Sequence, residues 1–208
     1  MIIAIDGPTA SGKGTIARAL AAHFGLPHLD TGLLYRAVGR QVFLAGGNPD
    51  DPEQALAATA FPDSLLEDPE LRSEETGGLA SRVSIHPAVR AALLERQQAF
   101  ANQPGGAVLD GRDIATVIAP HAPAKLFVTA SVAARALRRW AEMQGQGRTV
   151  SREAIEADLA ARDERDANRA QAPLRQAPDA ALLDTSAMGR EVAIATAIAL
   201  VEKQLASR

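Results

Sequence analysis

The sequence predicts an α/β fold built around a parallel sheet of about five strands, on three observations. Short apolar runs recur along the chain, from Met1 to Asp6, Ala107 to Asp110, Ala124 to Thr129 and Ala181 to Asp184, each the length of a strand buried on both faces. Between them lie longer stretches with apolar residues at helical spacing. The first run opens into a Gly-rich loop and then a helix, the order from which parallel sheets are wound. At 208 residues the chain is sized for one domain, 1–208, with a small insert and a lid. Ligands of such sheets bind outside the carboxyl ends of the strands, which places the site before any motif is named.

Each element follows from its residues. Ile16, Ala17, Leu20, Ala21 and Phe24 make Lys13 to Phe24 an amphipathic helix, stopped by Gly25 and Pro27. Pro27 to Asp30 has the length of a short second strand. Leu33, Leu34, Ala37, Val38 and Val42 carry a helix from Gly32 to Ala45, broken by Gly46-Gly47. Asn48 to Gly78 changes character: Pro49, Pro52, Pro62 and Pro69 punctuate an acidic text, predicting a surface insertion of short helical pieces within 46–80. Pro87 to Gln103 is helical again, through Val89, Leu93, Leu94 and Phe100. Ser131 is placed to cap a helix through Trp140, and Ser151 one running to about Arg169. Gly145, Gln146, Gly147 and Arg148 interrupt these two patterns, so 140–170 reads as a lid region. Met188 to Leu205 closes the chain as a helix.

Composition narrows the chemistry. With no Cys, disulfides, thiolate metal sites and cysteine nucleophiles are excluded. A net charge of -3 gives no overall attraction to nucleic acid or to an anionic membrane, so any anion site is local. Met1 leads into a short apolar run with no basic start and no membrane-length segment, and a cytoplasmic protein is expected. Lys13, Lys125 and Lys203 are the only lysines among 22 basic residues, and the rest are Arg, which suits bidentate recognition of phosphate or carboxylate. His23, His28, His86 and His121 have no metal-ligand spacing and read as surface or packing residues.

Gly7-Pro8-Thr9-Ala10-Ser11-Gly12-Lys13-Gly14-Thr15 has the spacing of a phosphate-binding loop, in the confirming strand-to-helix context. Its backbone N–H groups and the helix N-terminus converge on one anion, and Lys13 reaches further along a phosphate chain. Gly14 stands where many such loops carry the hydroxyl that holds Mg²⁺, so the metal is expected on the phosphates and water, with Asp110 as the nearby carboxylate. No Asn-Lys-x-Asp segment is present to read guanine, which argues against a GTPase switch.

Three further motifs narrow the superfamily: Asp30-Thr31-Gly32-Leu33-Leu34-Tyr35-Arg36, Asp110-Gly111-Arg112-Asp113, and Arg162 to Leu174 with its Arg-Asp-Glu-Arg-Asp opening. In order along the chain they resemble the bacterial cytidylate kinases, nucleoside-monophosphate kinases of the P-loop NTPase fold. The resemblance implies a three-layer arrangement with strand order 2-3-1-4-5, a monophosphate-binding insert, an Arg-bearing lid, and transfer of the γ-phosphoryl of ATP to CMP or dCMP with Mg²⁺ as companion ion. It assigns Gly7 to Thr15 to ATP, and Arg36 and Arg112 to the acceptor phosphate. Ser81, Arg162 and Asp166 go to the sugar, and Thr31, Arg90 and Asp113 to the base, with Arg169 closing over it. Family members usually carry a β-rich insert, whereas 46–80 shows no strand alternation and reads as reduced or helical.

The chemistry of these residue types agrees. Cytosine offers an acceptor at N3 where uracil offers a donor, so an Arg aimed there favours cytosine and leaves a costly buried mismatch against uracil. A carboxylate at Asp166 accepts from two sugar hydroxyls at once. Arg162, Asp166 and Arg169, spaced i, i+4, i+7, are expected on one helical face. Arg135, Arg138 and Arg139 form a basic cluster before the interruption, from which Arg135 and Arg139, with Lys13 and Arg112, are the expected catalytic cations. No general base is assigned, because a phosphate monoester with a second pKa near ~6 is already largely dianionic at pH 7. A monomer is expected, with neither nucleic acid nor membrane as partner. Other readings stay open at this stage: a P-loop kinase acting on UMP, AMP or shikimate, and a slow nucleotide-binding regulatory protein.

Overall fold

The computed structural model describes residues 1–145 and 147–207. The chain forms two compact units, one of Met1–Leu29 with Ala101–Arg208 and one of Asp30–Phe100. Five strands, β1 (Ile2–Asp6), β2 (His28–Asp30), β3 (Ala107–Gly111), β4 (Ala124–Thr129) and β5 (Ala181–Asp184), form a sheet in the order β2-β3-β1-β4-β5. This is the predicted order. β1 runs parallel to both β3 and β4, and β4 to β5. Asp6 lies level with Gly111 on one side and Phe127 on the other, so the chain leaves β1, β3 and β4 at a common carboxyl edge.

The helices are α1 (Lys13–Phe24), α2 (Thr31–Leu44), α3 (Pro52–Ala57), α4 (Glu74–Val83), α5 (Pro87–Ala101), α6 (Val132–Gly145), α7 (Arg152–Ala167) and α8 (Arg190–Ala206). The core of the first unit joins Ile3, Ile5, Leu126 and Val128 of the sheet to Ile16 and Leu20 of α1 and to Ala197 and Val201 of α8. α1 ends as its sequence predicts: Gly25 adopts φ 64°, and Leu26 N–H donates to the Ala21 carbonyl at 2.9 Å.

α5 ends at Ala101, two residues before the sequence reading, and three other helix boundaries differ for a packing or hydrogen-bonding reason. α6 continues past Trp140 to Gly145 because Met143 is buried against Ile155 and Leu159 of α7. α7 stops at Ala167, where the chain folds back and Leu174 N–H donates to the Asp166 carbonyl at 2.8 Å. Arg169 is therefore not on the helical face shared by Arg162 and Asp166; it stands in the turn beyond. α8 begins at Arg190, after a turn closed by Met188 N–H on the Thr185 carbonyl. Gln146, predicted as part of the interruption, lies outside the described residues.

In the second unit the stretch 46–80 is built of α3, three short 3₁₀ turns and most of α4, in line with the predicted helical pieces. Ala55, Phe61, Leu65, Leu71 and Ala80 of this stretch are buried, while Leu56 is exposed. The unit also takes in α2 and α5, so it is larger than the insert itself. α2 meets α4 at Gly39, where a Cβ would stand 2.7 Å from Leu79 Cβ.

Candidate active site

The phosphate loop leaves β1 pressed against β4. A Cβ on Gly7 would come within 2.0 Å of the Val128 carbonyl oxygen, so no side chain fits there. Gly12, at φ 89°, turns the loop into α1, and its carbonyl accepts from the N–H groups of Thr15 and Ile16 at 3.1 Å each. Lys13 opens that helix half-buried. Gly14 has room: a Cβ there would rest 3.7 Å from Arg18 and 3.8 Å from Asp110 Oδ2.

Beyond β3, Arg112 divides its guanidinium between two sites. Nε donates to Asp166 Oδ2 at 2.7 Å, and Nη2 donates to the Thr9 hydroxyl in the loop. Asp166 is 2 % exposed and also accepts from Arg169 on its other oxygen. Burial pushes its carboxyl upward, but Arg112, Arg169 and Arg162 outweigh that and hold it below the usual range. The structure thus brings Thr9, Arg112, Asp166 and Arg169 into one network and sets Arg162 within its field. Asp113 is buried beside it. Asp6, at the end of β1, accepts from the N–H groups of Ile114 and Ala115 at 2.8 Å each, fixing the start of the π turn Ile114–Ile118 and hence the course of Arg112-Asp113. Burial pushes the Asp6 carboxyl up to about 7 against these donors, and neighbouring Asp113 adds to the rise.

The basic cluster on α6 separates into three roles. Arg135 is 2 % exposed, with Nε on the Ala130 carbonyl, Nη1 on the Thr9 carbonyl and both terminal nitrogens on Asp163 of α7. Arg138 donates to the hydroxyl and the carbonyl of Thr185. Arg139 stays near the surface, 3.5 Å from Glu142. Arg138 and Thr185, with Ser11, Gly12, Thr15, Met188 and neighbouring residues of α8, line a cleft of about 350 Å³ alongside the loop. Sequence reasoning missed this cleft, for only its Ser11, Gly12 and Thr15 wall belongs to a motif; the walls from α6 and from Thr185 to α8 are distant in sequence and carry none.

His28, expected as a surface or packing residue, donates from Nε2 to Asp110 Oδ1 at 2.7 Å. Asp110 is 2 % exposed, and its other oxygen lies on the Gly14 side. No cluster of three or more His, Asp or Glu suited to a metal occurs among the described residues. One carboxylate beside a phosphate loop nevertheless fits a hydrated divalent ion carried in by phosphates.

In the second unit Asp30 caps α2 by accepting from Gly32 N–H, and Thr31 opens the helix, 3 % exposed. One turn on, Arg36 donates from Nη1 to the carbonyls of Leu71 and Ser73 at 2.7 and 2.9 Å, its guanidinium lying close over Gly77. Ser81 stands one turn further along α4, half-buried. Arg90 of α5 places its guanidinium 5.6 Å from the ring centroid of Tyr35, a cation–π contact that the motif alone did not disclose.

The sequence matches the Cytidylate kinase family model over residues 3–203. The chain belongs to the cytidylate kinase family. Curated relatives named "Cytidylate kinase" include proteins of Xanthobacter autotrophicus, 57% identical over the full length of both chains, and of Rhodopseudomonas palustris TIE-1, 53% identical over 100% of this chain and 99% of the relative. A third, from Caulobacter sp. K31, is 55% identical over 97% of this chain and 94% of its own. Among solved structures, a protein of Eubacterium ventriosum described as uncharacterized superposes with a TM-score of 0.56 at 15% identity, covering 100% of this chain and 99% of its own, a likeness of fold. The family match spans every motif described above.

Proposed function

We propose that the protein is an ATP-dependent kinase for CMP and dCMP. The observation that carries this reading is the Asp166–Arg112–Thr9 connection: a buried carboxylate of the acceptor motif and the phosphate loop share one arginine. High identity over full length to relatives named for the same activity supports it.

The reaction breaks the bond from the γ-phosphorus to the bridging oxygen of ATP and forms one to an oxygen of the CMP phosphate, giving ADP and CDP. Gly7, Thr9, Ala10, Ser11, Gly12, Lys13, Gly14 and Thr15 bind the ATP phosphates through backbone N–H groups and the Lys13 ammonium, while Pro8, which has no N–H, shapes the loop around them. The cleft beside Arg138 and Met188 takes the nucleoside end. Lys13, Arg112 and Arg139 supply positive charge where negative charge is redistributed in transfer. Arg135, expected from the sequence among these catalytic cations, is instead buried with its guanidinium on Ala130, Thr9 and Asp163, and holds the loop from behind. Arg36 and Arg112 bind the acceptor phosphate. Ser81, Arg162 and Asp166 bind the sugar; Thr31, Arg90, Asp113 and Arg169 select cytosine. Mg²⁺ carried in with ATP would supply charge neutralisation on the donor phosphates. Asp110 is the residue suited to orient its water shell. A cytoplasmic monomer completes the reading; no described helix is long and apolar enough to cross a membrane.

The test is ADP release from ATP and Mg²⁺ with CMP, dCMP, UMP, AMP and shikimate in parallel. Turnover confined to the two cytidine nucleotides is expected. Turnover with another acceptor would keep the kinase and overturn the base-reading residues, and none with any would overturn the function.

A further inference from the structure

We infer that Asp163 is a positioning residue for ATP binding, acting through buried Arg135 on the phosphate loop; the inference rests on reading that loop as the ATP site. Asp163 lies three residues before Asp166, so the two carboxylates occupy neighbouring positions on α7. Each holds an arginine that ends on Thr9. Asp166 holds Arg112, which donates to the Thr9 hydroxyl, and Asp163 holds Arg135, which donates to the Thr9 carbonyl at 3.1 Å. One residue of the loop is therefore gripped on both its side chain and its main chain by the same helix.

The grip falls where the loop needs it. Ala10, the next residue, holds φ 62°, a left-handed conformation that a side-chain-bearing residue adopts only when its surroundings impose it. The Thr9 carbonyl belongs to the peptide entering Ala10, and the Ala10 methyl packs against the α6–α7 cluster of Ala136, Met143, Ile155 and Leu159. Arg135 is 2 % exposed while its partner carboxylate is 28 % exposed, so the pair runs from the surface into the back of the loop. Without Asp163 the buried guanidinium loses its compensating charge and must relax toward water, releasing the carbonyl. A loop that cradles phosphate with backbone N–H groups tolerates little misplacement, and support of this kind decides how well it is formed before the ligand arrives.

The experiment measures ATP affinity of Asp163→Asn without acceptor by calorimetry, alongside CMP affinity, thermal midpoint, and KM and kcat for ATP. The expected result is a folded protein whose ATP dissociation constant and KM rise about tenfold while CMP affinity stays within about twofold, with Asp163→Glu recovering most of the loss. A folded variant that binds ATP as the wild type does overturns the inference, and so does an equal loss for ATP and CMP, which would mean a general loosening. Should Asp163→Asn fail to fold, Arg135→Lys, which keeps the charge but not the fork, carries the same expectation and the same refutation. ATP binding requires no acceptor, so failure of the wild type to phosphorylate CMP would count against the kinase reading alone.

Discussion

Asp6 and Asp166 are both buried carboxylates near the carboxyl edge of one sheet, yet their acidities move in opposite directions. Asp166 faces three guanidinium groups that outweigh the cost of burial, whereas at Asp6 burial, with neighbouring Asp113 adding to it, outweighs the two backbone N–H donors and Arg112. The sign for stability follows. A carboxyl raised to about 7 binds its proton more tightly in the folded state than in the unfolded one, so its contribution is greatest below the ordinary carboxylate range and is lost as pH rises toward 7. Urea denaturation of the wild type and Asp6→Asn should therefore show the wild type's advantage shrinking between about pH 4.5 and 7.5; a constant difference would contradict the assignment. At Arg90, the contact with Tyr35 holds the guanidinium proposed to read the base. Tyr35→Leu removes a contact worth about 0.5–2 kcal/mol, so kcat/KM for CMP should drop roughly two- to thirtyfold with little loss of folding. Unchanged kcat/KM would free Tyr35 of that role.

Among elements, α2 and α4 depend on their closest approach. An Ala at Gly39 would gain about 1 kcal/mol of helix propensity, but its methyl would stand 2.7 Å from Leu79 Cβ and 3.0 Å from its backbone carbon, which cannot yield as a side-chain tip can. Gly39→Ala should cost stability by about 1–3 kcal/mol of overpacking less the propensity gain and so lower the thermal midpoint, and a raised midpoint would refute the contact. Strands and most helix starts were legible because periodicity, Gly and cap residues are local signals: Gly25, Ser131 and Ser151 act where the sequence puts them. The ends of α6 and α7 were not, since Met143 extends α6 by packing on α7, and the Asp166 carbonyl ends the following helix by accepting from a residue eight positions on. Arg135 was legible as a functional cation and illegible as a buried one, because its partners Thr9, Ala130 and Asp163 are scattered over the sequence.

For the whole molecule, the strand order could be drawn from the family resemblance, and the motifs placed the phosphate loop and Arg112 at strand ends. The cleft beside Arg138 and the Tyr35–Arg90 contact emerged only from the fold, because each joins a motif residue to side chains distant in sequence. The central claim concerns transfer rather than hydrolysis, and ³¹P NMR of the protein with ATP, Mg²⁺ and CMP tests it most directly. Resonances of CDP should grow in step with those of ADP while inorganic phosphate stays flat. Inorganic phosphate appearing in place of CDP, or an unchanged spectrum, would contradict the account.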